Sequence, residues 1–228
     1  MVRPSSSGPR RFGVWAWGRP KVFVAFVAFA VTTSFVGSSR ADEPHTREER
    51  TFGLALNVAE PDNVPVRPDT WLDAQIAEAE RLFSPVGVHF RWTVRKIGKR
   101  GREKAETRED RDAFVDSLEP GLVNVFVVQS LRDVDEPTRM RMGVCWTETT
   151  SKRRYIVLSS TAKPSVLAHE LGHFFGNGHT QVVNNLMSYD RDGGEVFLDL
   201  QQKGRIVELA ERFARGALTL LGPARSFH

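Results

Sequence analysis

The sequence predicts one α+β domain in which the sheet is built first and two helices follow it. Two observations lead to this fold class. Strand-like and helix-like segments follow one another in the order β-α-β-β-β-β-α-α, and no internal repeat is present. The composition, 40% hydrophobic and 26% charged over 228 residues, is typical of a globular chain with one well-buried core.

Five segments have the patterns of strands. Thr51–Glu60 places apolar residues on one face, and Val88–Ile97 alternates in the same way, whereas Leu122–Leu131 is nearly all apolar and fits a strand buried on both faces. Two more strands are predicted later in the chain, Met140–Glu148 and Arg154–Ser160. The charged run Gly98–Asp112 has no apolar face, so a solvated loop or hairpin insertion is expected there.

Three segments have the spacing of helices. The first runs from about Thr70 to Phe83 and ends before Pro85 and Gly87. A second begins near Pro164, since proline suits the first turn of a helix. The third is amphipathic and runs from about Leu198 to Leu221.

Residues 1–41 differ from the rest, because they carry six basic residues and no acidic one. A basic leader, the apolar run Val22–Val31 and the tripeptide Ser39-Arg40-Ala41 predict a secretory signal peptide cleaved after Ala41. The alternative is an uncleaved membrane anchor, although the apolar run is short for a span of about 20 residues. Residues 42–228 would then hold 26 basic and 28 acidic residues, which does not support a nucleic-acid partner.

Half of the histidines lie in the stretch AHELGHFFGNGHT, at His169, His173 and His179. On a helix, His169 and His173 project from the same face, as two ligands of one Zn²⁺ require. Gly176 can end the helix in the left-handed conformation, so that His179 returns as a third ligand. Glu170 lies close enough to reach a water on the metal. Three protein ligands leave one position open, which is the arrangement of catalytic zinc.

The motif HELGHFFGNGH resembles the zinc-binding sequence of the metzincin metalloproteases, and NLMSYD resembles their Met-turn. The resemblance implies His169, His173 and His179 as metal ligands and Glu170 as general base. It also implies that Met187 forms a hydrophobic floor and that Tyr189 approaches the metal. The implied fold is a mixed, mostly parallel twisted sheet of about five strands with a backing helix, an active-site helix and a C-terminal helix.

The sequence therefore predicts a secreted or periplasmic zinc endopeptidase, with residues 42–228 as a monomeric peptidase domain acting on protein or peptide. The edge Gly143–Trp146 is expected to pair with extended substrate. One alternative is a zinc-bearing binding protein that is catalytically weak or inactive. His89 is expected to be a residue at the edge of the core, and Cys145, the only cysteine, a small core residue with no disulfide partner. No stable membrane association is expected after signal cleavage.

Overall fold

A five-stranded sheet lies at the centre of the computed structural model, which describes residues 49–97 and 102–216. The elements in chain order are β1 (Arg50–Ala59), α1 (Asp69–Phe83), β2 (Val88–Ile97), β3 (Lys104–Ala105), α2 (Arg108–Asp112), β4 (Val123–Val128), β5 (Ser130–Leu131), β6 (Gly143–Thr147), β7 (Arg154–Ser159), α3 (Ser165–Phe174) and α4 (Leu200–Ala214). Short 3₁₀ turns follow β1, α1 and α2.

The main sheet has the strand order β2-β1-β4-β7-β6. The four strands β2, β1, β4 and β7 run parallel to one another, and the edge strand β6 is antiparallel to β7. β3 and β5 form a separate parallel pair. The prediction of an α+β fold with a mostly parallel five-stranded sheet is confirmed.

Both faces of the sheet are covered. On one face, α1, α3 and α4 pack against alternate residues of β1 and β4, such as Leu54, Leu56 and Val125. On the other face, Phe126 and Tyr155 pack with Phe114 in a smaller cluster. Every residue of β4 is buried, as its continuous apolar run predicted. Because both of its faces are buried, the sheet is a rigid support for α3.

The charged segment is less exposed than predicted. Beyond residues 98–101, which lie outside the described residues, it forms β3 and α2 and buries Arg111. The Arg111 guanidinium stacks 4.8 Å from the ring centroid of Trp146 and donates to the Arg132 carbonyl, while the Arg111 carbonyl accepts from the Tyr155 hydroxyl at 2.6 Å. The long aliphatic part of an arginine side chain can cover apolar surface. The residues that contact Arg111 are distant in sequence, so the pattern of charges could not predict that Arg111 is buried.

The ends of the chain fall outside the described residues. The predicted signal peptide, residues 1–41, lies there, as does the end of the third predicted helix; α4 is described only to Ala214. Among residues 49–97 and 102–216, none of the helices is both long and apolar enough to span a membrane.

Helix α3 ends in a left-handed turn at Gly176, which has a φ of +81°. The Gly176 N–H donates to the His173 carbonyl and the Asn177 N–H donates to the Gly172 carbonyl, both at 2.9 Å. These two bonds form a Schellman motif, which satisfies carbonyls that the ended helix would leave free. The expectation that Gly176 ends the motif helix is confirmed.

Replacing Gly176 should destabilise the fold. In Gly176→Ala, the left-handed backbone is strained and the new Cβ meets Leu209 of α4. We expect the free energy of unfolding to fall by about 1–2 kcal/mol or more. Gly204→Ala is the control, because a Cβ there meets no atom and alanine favours a helix by about 0.8–1 kcal/mol. Denaturant unfolding of both variants checks this, and equal effects would contradict it.

Candidate metal centre

Three imidazoles converge at the end of α3. His169 and His173 lie one turn apart on the helix, with ring centroids separated by 4.7 Å. The chain reverses at Gly176, and His179 returns so that its ring centroid lies 4.5 Å from that of His173. One nitrogen from each ring lies within 4.8 Å of the other two. The structure thus brings together the three histidines that the motif predicts as ligands.

Backbone carbonyls orient two of these rings. His169 Nδ1 lies 2.7 Å from the Leu186 carbonyl, and His173 Nδ1 lies 2.8 Å from the Asn177 carbonyl. Since a carbonyl only accepts, each Nδ1 carries the proton, and each Nε2 keeps a lone pair directed away from it. His173 Nε2 and His179 Nε2 are 3.0 Å apart. This arrangement of outer hydrogen bonds is typical of histidines that bind metals.

The three rings are held in their neutral form. Burial is the main cause, and it lowers the pKa of His169 to about 4 and that of His173 to about 3. The pKa of His179 is also lowered, by burial and by the positive charge of Arg141. Neutral imidazole is the form that binds a metal. The donor set therefore fits a bound metal ion with one or more positions open.

Glu170 lies against the edge strand β6. Its side chain is buried, and its carboxylate accepts from the backbone N–H of Cys145. A Cβ on Gly143 would lie 2.7 Å from Glu170 Oε1, so only glycine allows this close approach. Burial raises the pKa of Glu170 to about 8, against the opposing effects of the Cys145 N–H and of Arg141. Glu170 is thus placed between the histidine cluster of α3 and the sheet edge.

The segment after His179 passes beneath the cluster. Met187 is fully buried, its sulfur lies against Gly172 of α3, and its carbonyl accepts from Thr180 N–H at 3.0 Å. The turn is anchored to α4 by Asn185 and Gln202, whose side-chain amides exchange two hydrogen bonds of 2.9 Å. The sequence analysis did not identify this pair. Its only sequence signal is Gln202 at the third position of the α4 capping box.

Tyr189 reaches the cluster from the outside. The residue is 67% exposed, yet its hydroxyl lies 2.8 Å from His179 Nε2. Partial burial of the hydroxyl and the nearby charge of Glu170 raise the pKa of Tyr189. A hydroxyl in this position can donate to, or accept from, a group bound beside the imidazoles.

Of the other residues singled out, His89 lies apart from the site, whereas Cys145 and the rest of Gly143–Trp146 border Glu170. His89 Nδ1 contacts Glu80 Oε2 at 3.1 Å on β2, the opposite edge of the sheet. Cys145 is half-buried against the core, and the burial of its thiol raises the pKa to about 12 and leaves it protonated at neutral pH. Gly143–Trp146 lies within β6, at the edge of the sheet.

The mostly parallel sheet, the helix with two histidines and the third histidine after a glycine turn form the arrangement that the resemblance to the metzincin-type metalloproteases implies. Comparison with solved structures agrees. Metalloproteinase-II from Bacteroides fragilis matches with a TM-score of 0.53 and 14% identity, over 72% of this chain and 55% of that protein. The match thus spans about half the length of the Bacteroides protein. Mature mirolysin of Tannerella forsythia, in complex with a cleaved peptide, matches with a TM-score of 0.52 and 11% identity.

The mirolysin match covers 77% of this chain and 99% of mirolysin, and mirolysin in complex with compound 9 gives the same values. No protein-family model matches the chain, and no curated protein matches it significantly. At these identities the likeness shows the fold. The predicted resemblance to the metzincin-type metalloproteinases is thereby confirmed at the level of fold.

Loss of His179 should weaken metal binding. His179→Ala leaves two imidazoles, so we expect zinc affinity to fall by at least roughly 100-fold, and the rise in melting temperature on adding zinc to disappear. His89→Ala is the matched control, since His89 lies on the opposite sheet edge. Calorimetric titration and thermal shift measure both effects. Unchanged affinity in His179→Ala would show that this ring is not a ligand.

Proposed function

We propose that the chain is a zinc-dependent endopeptidase, whose residues 42–228 form the peptidase domain. The observation that carries this proposal is the convergence of three neutral imidazoles beside one buried carboxylate, all on a metalloprotease fold. Three histidines and an open position suit zinc in four-coordinate geometry. His169, His173 and His179 would hold the ion through Nε2. Bound there, zinc would polarise a peptide carbonyl and lower the pKa of a water to about 7.

Glu170 is the proposed general base. The positive charge of a bound zinc ion would lower the pKa of Glu170 from its raised value, so that the side chain is an ionised carboxylate in the loaded site. That carboxylate takes a proton from the attacking water and returns the proton to the leaving amine. Its hydrogen bond to the Cys145 N–H fixes the carboxylate between α3 and the sheet edge. A purely structural metal site has no use for such a carboxylate, which argues against an inactive zinc-binding protein.

The edge strand β6 is the proposed binding site for the substrate backbone. Among residues 49–97 and 102–216 it pairs with β7 alone in the main sheet, so one side of its backbone is proposed to receive an extended peptide. Glu170 contacts this strand at Gly143 and Cys145. A peptide lying along Gly143–Trp146 would pass directly over the carboxylate. The substrate class proposed is therefore protein or peptide.

Tyr189 is the proposed oxyanion donor, and Met187 the apolar floor beneath the metal. The Tyr189 hydroxyl lies 2.8 Å from His179 Nε2, within reach of a carbonyl oxygen bound beside that ligand. Met187 fills the space under α3 without offering a polar group. Such packing would hold α3 against the turn whose Leu186 carbonyl orients His169.

The same proposal includes export from the cytoplasm. The basic leader, the apolar run and the Ser39-Arg40-Ala41 tripeptide support a signal peptide cleaved before Asp42. Amino-terminal sequencing of the exported chain tests this. A mature chain beginning at Asp42 supports cleavage, and a product that retains Val22 contradicts it.

Activity and zinc content should separate at Glu170. Glu170→Gln keeps the shape of the side chain and leaves the three histidines unchanged, so about one zinc per chain should remain. Hydrolysis of a peptide library should fall by about 10²–10⁴-fold, the scale for losing a positioned base. Glu195→Gln, an exposed carboxylate paired with Arg81, is the control. Full activity in Glu170→Gln, or loss of its zinc, would refute the assigned role.

Removing the Tyr189 hydroxyl should affect the chemical step. If Tyr189 donates to the oxyanion, Tyr189→Phe should lower kcat by about 10²–10³ and leave KM nearly unchanged. If Tyr189 only packs beside the turn, the loss should be less than about tenfold. Steady-state kinetics at equal zinc occupancy decides between these outcomes.

A further inference from the structure

Arg141 lies at the mouth of the candidate site and was not identified from the sequence. It lies two residues before the start of β6, and its N–H donates to the Leu131 carbonyl at 2.8 Å. One edge of its guanidinium is bound by Asp133: Nε donates to Oδ2 at 2.6 Å, and Nη2 forms an ion pair with the same oxygen. The side chain is therefore held in one orientation.

Asp133 is itself fixed. Its Oδ1 accepts from the backbone N–H groups of Asp135 at 2.9 Å and Glu136 at 3.0 Å, and its side chain is only 8% exposed. These N–H bonds are the main cause that lowers the pKa of Asp133 to about 2, so the carboxylate is ionised at neutral pH. The Asp133 N–H donates to the Arg139 carbonyl and closes the loop before Arg141. The guanidinium is thus positioned before any ligand binds.

The guanidinium also faces the histidine cluster. Arg141 lies two residues before Gly143, and a Cβ on Gly143 would lie 2.7 Å from Glu170 Oε1. The positive charge of Arg141 lowers the pKa of His179 and opposes the rise in the pKa values of Glu170 and Tyr189. The Tyr189 hydroxyl in turn lies 2.8 Å from His179 Nε2. Arg141 therefore lies beside the proposed metal position, and its side chain is 36% exposed. A planar guanidinium with a free N–H group is the usual partner of a carboxylate.

The surrounding charge is also positive. The positive charge of Arg191 lowers the pKa of His169, and that of Arg154 lowers the pKa of His173. Within the described residues, both guanidinium groups donate only to backbone carbonyls. Of the carboxylates beside the cluster, Glu170 is assigned to the reaction and Asp133 is already paired. An anionic ligand would therefore meet attraction and little repulsion at this entrance.

We propose that Arg141 is a specificity-determining residue that binds a substrate carboxylate beside the scissile bond. This inference rests on the proposed peptidase function and narrows its substrate class to peptides with an acidic group at the cleavage site. The carboxylate belongs either to an aspartate or glutamate side chain or to the peptide's own carboxyl terminus. Both offer two oxygens to the guanidinium.

The test compares peptides that differ only in this group. A peptide cleaved by the wild-type chain is made with Glu, Gln or Lys on either side of the scissile bond, and with a free or amidated carboxyl terminus. We expect wild-type kcat/KM to favour a carboxylate over its amide by at least about tenfold. Preference for internal Glu identifies a side chain as the source, whereas preference for the free terminus identifies the chain end.

Three variants assign the preference to Arg141. In Arg141→Gln the preference should fall to within about twofold, whereas Arg141→Lys should keep part of it, because the charge remains and the planar fork is lost. Arg212→Gln is the matched control: it removes one exposed, paired arginine on α4 and should leave the preference intact. Zinc content and melting temperature are measured for each variant. If Arg141→Gln does not fold, Arg141→Lys carries the comparison.

A second readout does not depend on turnover. Fluorescence anisotropy measures binding of the Glu and Gln peptides to Glu170→Gln and to the double variant that also carries Arg141→Gln. We expect the single variant to bind the Glu peptide at least about tenfold more tightly and the double variant to lose this difference. Equal affinities in the single variant, or a difference that persists in the double variant, would overturn the proposal. Failure of the peptidase proposal itself would instead appear as no zinc-dependent cleavage of any peptide.

Discussion

The left-handed turn at Gly176 is the constraint on which the rest of the site depends. An uninterrupted α3 would carry His179 away along the helix axis, since each residue adds about 1.5 Å. The turn at φ +81° instead returns the chain, so that His179 Nε2 lies 3.0 Å from His173 Nε2. The same bend exposes the Asn177 carbonyl to His173 Nδ1 and fixes the tautomer of that ring. One backbone conformation therefore sets the position of His179 and the tautomer of His173.

The lower half of the site is held by a second, independent set of contacts. Met187 packs under Gly172, and the Asn185–Gln202 amide pair ties the turn to α4. The Leu186 carbonyl in this turn accepts from His169 Nδ1 at 2.7 Å. The histidine rings are therefore held in place both by α3 and by the turn around Met187. Such pre-organisation is what a site needs if a bound metal is to keep an open position.

The sequence predicted the parts of the structure that depend on local pattern. The histidine spacing, the helix end at Gly176 and the five main strands follow from periodicity and glycine conformation, all within short windows. The contacts that position the site could not be predicted, because each joins residues far apart in the chain. Arg111 with Trp146, Asp133 with Arg141 and Asn185 with Gln202 are such pairs. A charge run in sequence does not reveal which arginine is buried.

The central claim is that three imidazoles of this chain hold one zinc ion and leave room for a water. X-ray absorption at the zinc edge, measured on the chain loaded with one equivalent of zinc, tests it most directly. The account predicts three imidazole nitrogens at about 2.0–2.1 Å, together with at least one oxygen ligand that no side chain supplies. Fewer than three imidazoles, or a sulfur at about 2.3 Å contributed by Cys145, would contradict it.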